Sequence, residues 1–263
     1  MQAQPSGLYA VFGHPVGHSL SPLIHNHGFS QAKWRAFYVS VECAVEELPD
    51  KLAAFRLLGG HGLNLTRPLK EAVLPLIGEA DDWVERSGAA NTLVAAPNGW
   101  RAANTDCEAL FRRVKPYAGE NRAALILGSG GVARASAAVL RAHGFWVAGA
   151  AKRPERCDWA EETLRWSDRL ESGPWHVVIN ATPLGQVGET SVGEWPLPGP
   201  EGLAIDWVYR PANTGFLQGA KSLGVDTLDG LTLLVDQAAL AWPLWFGHEA
   251  PLAAMLEAVQ PWR

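Results

Sequence analysis

The sequence predicts an α/β fold in two domains, the first built on a mixed sheet and the second on a parallel sheet. Over the first hundred residues, short apolar runs alternate with helical segments, which is βαβα order. Further along, Ala123–Leu127 is entirely apolar and follows a polar stretch, as expected for a buried strand of a parallel sheet. From residue 231 the chain is helical and rich in Leu, Ala and Trp, and we expect these C-terminal helices to pack back on the first domain. The predicted domains are therefore residues 1–105 plus 237–263, and residues 106–236.

The elements of the first domain begin and end at local signals. Ser21 is a good N-cap residue with Pro22 at the first helical position, and Gly59-Gly60 ends the next helix. Asn98-Gly99 is a strong hairpin signal between two short β-like runs, which makes the sheet mixed. The predicted strands are residues 8–12, 37–41, 62–65, 92–96 and 100–103, and a further helix begins near residue 68.

The second domain repeats strands and helices, with Gly144 and Gly224 as helix stops. This alternation predicts a parallel sheet covered by helices. The predicted strands are residues 123–127, 145–150, 176–180, 204–208 and 225–228, and the predicted helices are residues 107–114, 132–143 and 216–223.

Composition excludes several classes of protein. The net charge of −5 gives no electrostatic basis for a nucleic-acid partner. The three cysteines, Cys43, Cys107 and Cys157, are far apart and lack CxxC spacing, so we expect reduced thiols and a cytoplasmic protein. No apolar run approaches the ~20 residues of a membrane span, and the N-terminal MQAQPSG lacks the layout of a signal peptide. We therefore expect no membrane association.

The turn Gly128-Ser129-Gly130-Gly131-Val132 has the features of a phosphate-binding loop. An apolar strand leads into it, its glycines let backbone N–H groups approach an anion, and a helix starts directly after it. The alternative is a structural βα turn without a ligand. The flanking strand and helix favour a Rossmann-type dinucleotide-binding domain.

The segment after the next predicted strand indicates which dinucleotide binds. Enzymes that use NAD carry an acidic residue at this place, which binds the ribose 2′-hydroxyl. Here Lys152, Arg153 and Arg156 stand instead, and a cationic cluster can bind a 2′-phosphate through charge-assisted hydrogen bonds. The alternative is a solvated run of charges. The position of the cluster favours NADP (NADPH) as the cofactor.

Several polar motifs stand at predicted strand ends and turns. They are an S-x-S pair at residues 19–21, N-L-T-x-P-x-K at 64–70, A-x-N-T at 89–92, N-T-D at 104–106, G-S-G-G-V at 128–132, N-A-T-P-L-G at 180–185, D-x-x-Y-x-P at 206–211 and G-x-x-L-L-V-x-Q at 230–237. Together these motifs resemble the shikimate dehydrogenase family over nearly the whole chain. Three departures from the family pattern are Ala151 in place of Asn in the basic loop, Leu233 in place of Met, and Ser129 and Val132 in place of small alanines.

The resemblance implies that Lys70 and Asp106 are catalytic, with the lysine as proton donor and acceptor at the reacting oxygen. Taken without the motifs, Lys70 is a solvated residue and Asp106 an N-cap. The resemblance further implies substrate-binding roles for Ser19, Ser21, Asn64, Thr66, Asn91, Tyr209 and Gln237, and cofactor-binding roles for the residues of the 128–132 turn and for Lys152, Arg153, Arg156, Asn180, Thr182, Trp207 and Gly230.

The activity implied by the resemblance is NADP-dependent, reversible reduction of 3-dehydroshikimate to shikimate in aromatic amino-acid biosynthesis. Two alternatives stay open, namely a paralogue that acts on quinate or an aminated shikimate analogue, and a non-catalytic NADP-binding sensor. Several histidines lie near the serine pair, but they lack a metal-ligand spacing, so no metal is expected. We expect a small-molecule substrate and a monomer or homodimer.

Overall fold

The computed structural model describes residues 6–186 and 193–263, so residues 1–5 of the N-terminal segment and residues 187–192 lie outside the described part. The chain divides into two compact units. One comprises Met1–Glu108 and Val235–Pro261, and the other comprises Ala109–Leu234 and Trp262–Arg263. The chain passes from one unit to the other between residues 108 and 109, between residues 234 and 235, and again after Pro261.

The first unit is built on a six-stranded mixed sheet, which confirms the predicted fold class. Its strand order is β2-β1-β3-β5-β6-β4, with β1 parallel to both β2 and β3, and β5 antiparallel to both β3 and β6. The pairing of Ala96 with Gly99 confirms the hairpin, but the two turn residues are Pro97 and Asn98 rather than Asn98 and Gly99. The strands are β1 Ser6–Gly13, β2 Arg35–Glu42, β3 Gly60–Leu65, β4 Glu79–Ala80, β5 Thr92–Ala96 and β6 Gly99–Ala103.

Helices cover this sheet, and the first of them begins differently from the prediction. It starts at Ser21 itself, after Leu20, and the Ser21 N–H donates to Ser19 Oγ at 3.2 Å. Ser19 therefore satisfies a free N–H of the first turn, a function that the sequence assigned to Ser21. The helices are α1 Ser21–Gln31, α2 Leu48–Leu57, α3 Leu69–Ala72, α4 Asp82–Ser87, α5 Thr105–Val114, α8 Gly230–Phe246 and α9 Leu252–Ala258.

The C-terminal helices pack on the first unit, as predicted, through aromatic side chains. Trp242 is fully buried and lies so close to Gly28 that a β-carbon there would meet its ring at 2.8 Å. Its ring centre lies 5.1 Å from that of Phe29 and 4.8 Å from that of Trp34. Trp34 and Trp242 are thus two of the 12 tryptophans whose role is packing, because such a ring buries a large apolar area.

The second unit contains a six-stranded parallel sheet of order β12-β11-β10-β7-β8-β9. Counted within the unit this is the 3-2-1-4-5-6 order of a Rossmann fold, so the predicted class is confirmed. The sequence analysis missed the edge strand β9, which is mostly exposed and lacks an apolar pattern. The elements are β7 Ala123–Leu127, α6 Gly131–Ala142, β8 Trp146–Ala151, β9 Glu162–Arg165, β10 Val177–Asn180, β11 Leu203–Asp206, α7 Gly215–Ser222 and β12 Asp226–Leu228.

None of the helices in the described part combines the length and apolar character that crossing a membrane requires. Within the same residues, no three His, Cys, Asp or Glu side chains converge in a way that could hold a metal ion.

Candidate active site

Lys70 and Asp106 form an ion pair in the first unit. The Lys70 Nζ lies 2.7 Å from Asp106 Oδ2, and both side chains are largely shielded from solvent, with 27% and 16% of their surface exposed. Lys70 stands on the short helix α3 after strand β3, and its backbone carbonyl accepts the Ala90 N–H at 2.8 Å. The lysine is therefore neither free nor fully solvated.

The carboxylate of Asp106 is not used to cap helix α5. Asn104, the residue before the helix, accepts the Cys107 N–H on its Oδ1 at 3.1 Å. Asp106 lies in the first turn, where the partial positive charge of the helix end stabilises an anion. The carboxylate thus remains available to orient the Lys70 ammonium.

The two serines of the S-x-S motif point to the same place. Ser19 Oγ donates to Ser21 Oγ at 3.2 Å; Ser19 is partly exposed and Ser21 is buried. Glu42 anchors the loop that carries Ser19, because its carboxylate accepts the N–H groups of Val16 and Gly17 at 2.8 and 3.2 Å. The Val16 N–H is the main reason why the pKa of Glu42 lies below its usual value.

A buried network of amides and hydroxyls lies under this region. Asn91 Nδ2 donates to Thr105 Oγ1 at 3.0 Å and to Gln237 Oε1 at 3.3 Å, and Asn91 Oδ1 accepts the Thr105 N–H at 2.8 Å. Asn64 Nδ2 donates to Thr92 Oγ1 at 2.9 Å and to the Asn91 carbonyl at 3.2 Å. The network brings the predicted ligands Asn64, Asn91 and Gln237 together. Burial makes each unpaired group costly, so the network holds these side chains in single orientations.

Thr66 behaves differently from these residues. Its hydroxyl has no hydrogen-bond partner among the described residues, and its methyl group packs against Gly13 so closely that a β-carbon there would clash with it. The Thr66 hydroxyl is therefore available to a ligand.

Three members of the site were missed by the sequence analysis. Thr92 and Thr105 stand in the A-x-N-T and N-T-D motifs, so the motifs could have identified them. Tyr38, whose hydroxyl donates to Asn64 Oδ1 at 2.6 Å, lies in strand β2 and in none of the motifs.

The predicted phosphate-binding turn lies in the second unit between β7 and α6. Gly128 has a φ of +115°, and a β-carbon there would come within 2.9 Å of the Ala181 carbonyl oxygen, so this position requires glycine. At Gly130, the residue before α6, a β-carbon would meet no atom within 4 Å. Ser129 and Val132 are partly exposed beside this open space. The turn therefore presents backbone N–H groups and a helix N-terminus to an anion.

The basic loop directly follows strand β8. Lys152, Arg153 and Arg156 are exposed, and none of them has a carboxylate partner within the described residues. Unpaired cations at the end of the second strand of a Rossmann sheet fit the 2′-phosphate of NADP, as the open turn fits its pyrophosphate.

Asn180 and Asp206 hold together the loops that carry the remaining cofactor candidates. Asn180 Oδ1 accepts the Thr182 hydroxyl at 2.7 Å, and its Nδ2 donates to Asp206 Oδ1 at 2.9 Å. Asp206 also accepts the Thr214 hydroxyl at 2.6 Å and the Val208 N–H at 2.9 Å. Burial raises the pKa of Asp206 to about 6, although these three donors oppose the shift.

Trp207 and Gly230 are also placed by close contacts within this unit. The Trp207 indole N–H donates to Ser136 Oγ on α6 at 3.1 Å. A β-carbon at Gly230 would lie only 2.6 to 2.7 Å from the carbonyl oxygens of Trp207 and Val208, so that close approach also requires glycine. Tyr209 follows on the same segment, and its role in substrate binding stays a prediction.

One unit of this chain is a Rossmann fold with an open phosphate turn, and the other holds a lysine–carboxylate pair in a polar site. This combination defines the class of dinucleotide-dependent dehydrogenases. Comparison with known proteins narrows this class. Residues 11–93 match the family profile of the shikimate dehydrogenase substrate binding domain, and residues 230–260 match that of the shikimate 5'-dehydrogenase C-terminal domain.

Individual relatives extend the likeness over almost the entire chain. The shikimate dehydrogenase (NADP(+)) of Oleidesulfovibrio alaskensis is 34% identical over 261 residues, which cover 95% of this chain and 93% of the relative. The crystal structure of shikimate 5-dehydrogenase from Thermus thermophilus in complex with NADP(H) and shikimate is 33% identical, with a TM-score of 0.83 over 97% of this chain and 99% of that one. The chain belongs to the shikimate dehydrogenase family.

A solved structure of an enzyme named for a different substrate has the same fold. Quinate dehydrogenase from Corynebacterium glutamicum, in complex with NAD, is 26% identical with a TM-score of 0.87, over 97% of this chain and 99% of that one. The fold alone therefore does not distinguish these substrates or these cofactors.

Proposed function

We propose that this protein catalyses the NADP-dependent, reversible reduction of 3-dehydroshikimate to shikimate. The observation that carries the proposal is the Lys70–Asp106 ion pair in a chain whose relatives are NADP-dependent shikimate dehydrogenases. We further propose that residues 1–105 with 237–263 form the substrate domain and residues 106–236 the NADP domain. The protein acts in the cytoplasm on a small-molecule substrate, as a monomer or a homodimer.

Reduction of the ketone requires that a proton be delivered to the ketone oxygen. Bound NADPH would supply the hydride for the ketone carbon, and the residues of this chain would manage the proton. As negative charge develops on the ketone oxygen, the Lys70 ammonium donates a proton to it, and in the reverse direction the neutral amine accepts the proton from the hydroxyl. Asp106 orients the ammonium through the 2.7 Å contact and accepts a hydrogen bond from the same substrate hydroxyl.

The proposed substrate ligands suit a polyhydroxylated acid. Ser19 and Ser21 provide hydroxyl donors for the carboxylate, and Thr66, Asn91 and Gln237 provide neutral partners for the ring hydroxyls. Asn64 has both amide hydrogens and one side of its oxygen engaged within the protein, so it contributes mainly by fixing its neighbours. An analogue that lacks one hydroxyl would leave a buried partner unpaired, which is how such a site discriminates.

The proposed cofactor ligands divide by the part of NADP that they hold. The 128–132 turn and α6 bind the pyrophosphate, and Lys152, Arg153 and Arg156 bind the 2′-phosphate. Asn180, Thr182, Trp207 and Gly230 line the rest of the cofactor. These roles rest on the open turn, the unpaired cations and the close packing of the two glycine-dependent loops.

The test is a steady-state assay of the purified protein with four combinations of substrate and cofactor. We expect the highest kcat/KM with 3-dehydroshikimate and NADPH, and much lower values when 3-dehydroquinate or NADH replaces either one. Faster turnover of 3-dehydroquinate would identify a quinate dehydrogenase instead. NADPH binding without turnover of either ketone would identify a non-catalytic sensor.

A further inference from the structure

The segment between the basic loop and strand β9 is tied to helix α6 by two ion pairs. We call residues 157–161 the connecting segment. Arg134 Nη2 donates to Asp158 Oδ1 at 2.7 Å, and Arg141 Nε donates to Glu161 Oε1 at 2.8 Å. The two arginines are seven residues apart and therefore lie on the same face of the helix. One face of α6 thus holds the connecting segment near both of its ends.

The connecting segment is also fixed from the side of strand β8. Glu161 and Val147 are joined twice, because the Glu161 N–H donates to the Val147 carbonyl at 2.9 Å and the Val147 N–H donates to Glu161 Oε2 at 2.8 Å. Cys157 and Trp159 are buried, and a β-carbon at Gly149 would meet the Trp159 ring at 2.8 Å and Cys157 at 3.0 Å. The segment therefore forms a fixed base for the basic loop that precedes it.

The Arg134–Asp158 pair connects the two proposed phosphate-binding elements of this unit. Helix α6 begins in the glycine turn at Gly131, and Arg134 lies in its first turn, with its N–H bonded to the Gly130 carbonyl at 3.1 Å. Asp158 follows Arg156, the last cation of the basic loop, by two residues. One NADP molecule has to place its pyrophosphate at the turn and its 2′-phosphate at the loop, so its affinity depends on how these two elements are spaced. NAD lacks the 2′-phosphate and does not depend on that spacing.

The charge of Asp158 makes its role testable. A carboxylate this close in sequence to the basic loop repels a cofactor that carries several negative charges, so its direct electrostatic effect is to weaken NADP binding. If the carboxylate instead acts by holding Arg134, its presence strengthens NADP binding. The two roles therefore predict changes of opposite sign when Asp158 is made neutral.

We propose that the Arg134–Asp158 ion pair positions the cofactor site: it holds the basic loop at the spacing from the glycine turn that NADP requires, and so contributes to the preference for NADP over NAD. The inference rests on the proposed function, because it assumes that the turn and the loop bind two phosphate groups of one NADP molecule. Both residues act through the loop, and neither is assigned a contact with the cofactor.

The primary test is Asp158→Asn, which keeps the shape of the side chain and removes its charge. We expect the dissociation constant of NADPH, measured by isothermal titration calorimetry, to rise by about three- to fivefold, the range for a well-aligned ion pair whose side chains are 43% and 62% exposed. The dissociation constant of NADH should stay within about twofold, because NADH has no 2′-phosphate. In the assay with shikimate, the KM for NADP should rise by the same factor as the NADPH dissociation constant, while kcat and the KM for shikimate stay within about twofold.

The matched control is Glu47→Gln. It removes the carboxylate of another partly exposed ion pair, which joins Glu47 to Lys51 at 2.8 Å in the first unit. Both variants change the net charge of the protein by the same amount, so a general effect of charge on cofactor binding would appear in both. We expect Glu47→Gln to leave the dissociation constants of NADPH and NADH unchanged.

A double-mutant cycle with Arg134→Gln tests whether Asp158 acts through Arg134. Arg134→Gln alone should raise the dissociation constant of NADPH. Adding Asp158→Asn to Arg134→Gln should raise it by less than about twofold more, because the pair is already broken.

Three results would overturn the inference. They are an unchanged or lower dissociation constant of NADPH in Asp158→Asn, an equal rise for NADPH and NADH, and an equal rise whether Arg134 is present or replaced. The wild-type protein distinguishes this failure from that of the proposed function. Wild-type turnover of shikimate with NADP together with any of these results refutes the role of the ion pair alone, whereas a wild-type protein that binds no NADPH refutes the function and the inference with it.

Discussion

The Nζ of Lys70 lies 2.7 Å from Oδ2 of Asp106, although 36 residues separate them in the chain. Two short elements produce this contact, the one-turn helix α3 after strand β3 and the first turn of α5 after strand β6. Because Asn104 supplies the bond to the first turn of α5, the Asp106 carboxylate is left to bind the ammonium.

Replacing Lys70 tests its proposed role as the proton donor. In Lys70→Met the aliphatic stem is kept and the ammonium is lost, so we expect kcat to fall by about 100-fold or more, the usual value of a general acid. The KM for shikimate should change far less, because the serine and amide ligands remain. Steady-state kinetics at saturating NADP measures both.

The control for this variant is Lys221→Met, which removes an exposed lysine that donates a hydrogen bond to Asn213 Oδ1 at 3.2 Å. It should match the wild-type kinetics. A Lys70→Met protein that turns over shikimate at the wild-type rate would contradict the assignment.

The basic loop is expected to determine the choice between NADP and NAD. Each charge-assisted hydrogen bond to the 2′-phosphate contributes about 1.5–3 kcal/mol, so Arg153→Gln together with Arg156→Gln should lower kcat/KM for NADP by about 100-fold or more. The value for NAD, which lacks that phosphate, should stay within a few fold. Arg165→Gln is the matched control, because this exposed arginine is already paired with Asp168 at 3.0 Å. Equal losses with both cofactors would contradict the role.

Asp206 should make the stability of the protein depend on pH. Its pKa is raised from 3.8 to about 6 in the folded state, so the folded protein holds this proton more tightly than the unfolded chain does. The resulting stabilisation is fully present below pH 3.8 and is lost as the pH rises through 6, by about 3 kcal/mol in total. Urea unfolding between pH 4 and 7.5 should therefore show the wild type losing most of this amount relative to Asp206→Asn. A constant difference between the two proteins across this range would contradict the expected shift.

His25 should make the stability of the protein depend on pH in the opposite direction. Burial lowers its pKa from 6.5 to about 3, and the neutral ring accepts the Trp242 indole N–H at 3.1 Å. Its stabilisation is present above pH 6.5 and is lost as the pH falls towards 3, by about 1.4 kcal/mol per pH unit. In the unfolding free energy between pH 7 and 4.5, His25→Gln should be less stable than the wild type at pH 7 and should lack this acid-dependent loss. If the variant and the wild type lose stability in parallel, His25 is not the group responsible.

Much of the fold could be predicted from local patterns. The Rossmann unit was identified from the apolar run Ala123–Leu127, the glycine turn after it and the helix stops at Gly144 and Gly224. Each of these features reflects a local constraint on the backbone. The patterns missed the strands β4 and β9, and they placed the start of α1 incorrectly. Residues 162–165 form an exposed edge strand without alternation of polar and apolar residues. Ser21 is the first residue of α1 rather than its N-cap, and Ser19 in the preceding loop accepts its N–H.

The candidate site could be predicted only where it coincides with motifs. Lys70, Asp106 and the serine pair were named from the sequence, and the structure brings each pair together. Tyr38 could not be named, since a tyrosine in a strand with an aromatic and β-branched composition reads as ordinary packing. The burial that raises the pKa of Asp206 could not be predicted from the sequence either, because it depends on which residues the fold places around the carboxylate.

The sequence by itself determined the class of the two sheets, the glycine turn, the basic loop and the residue types that carry the chemistry. These follow from backbone geometry, periodicity and charge, which are properties of neighbouring residues. Only the tertiary structure decided which distant side chains form hydrogen bonds with each other, such as Tyr38 with Asn64, Asn91 with Gln237 and Asn180 with Asp206. The reason is that a buried polar atom must find a partner wherever the fold places one, and residues distant in the chain supply it.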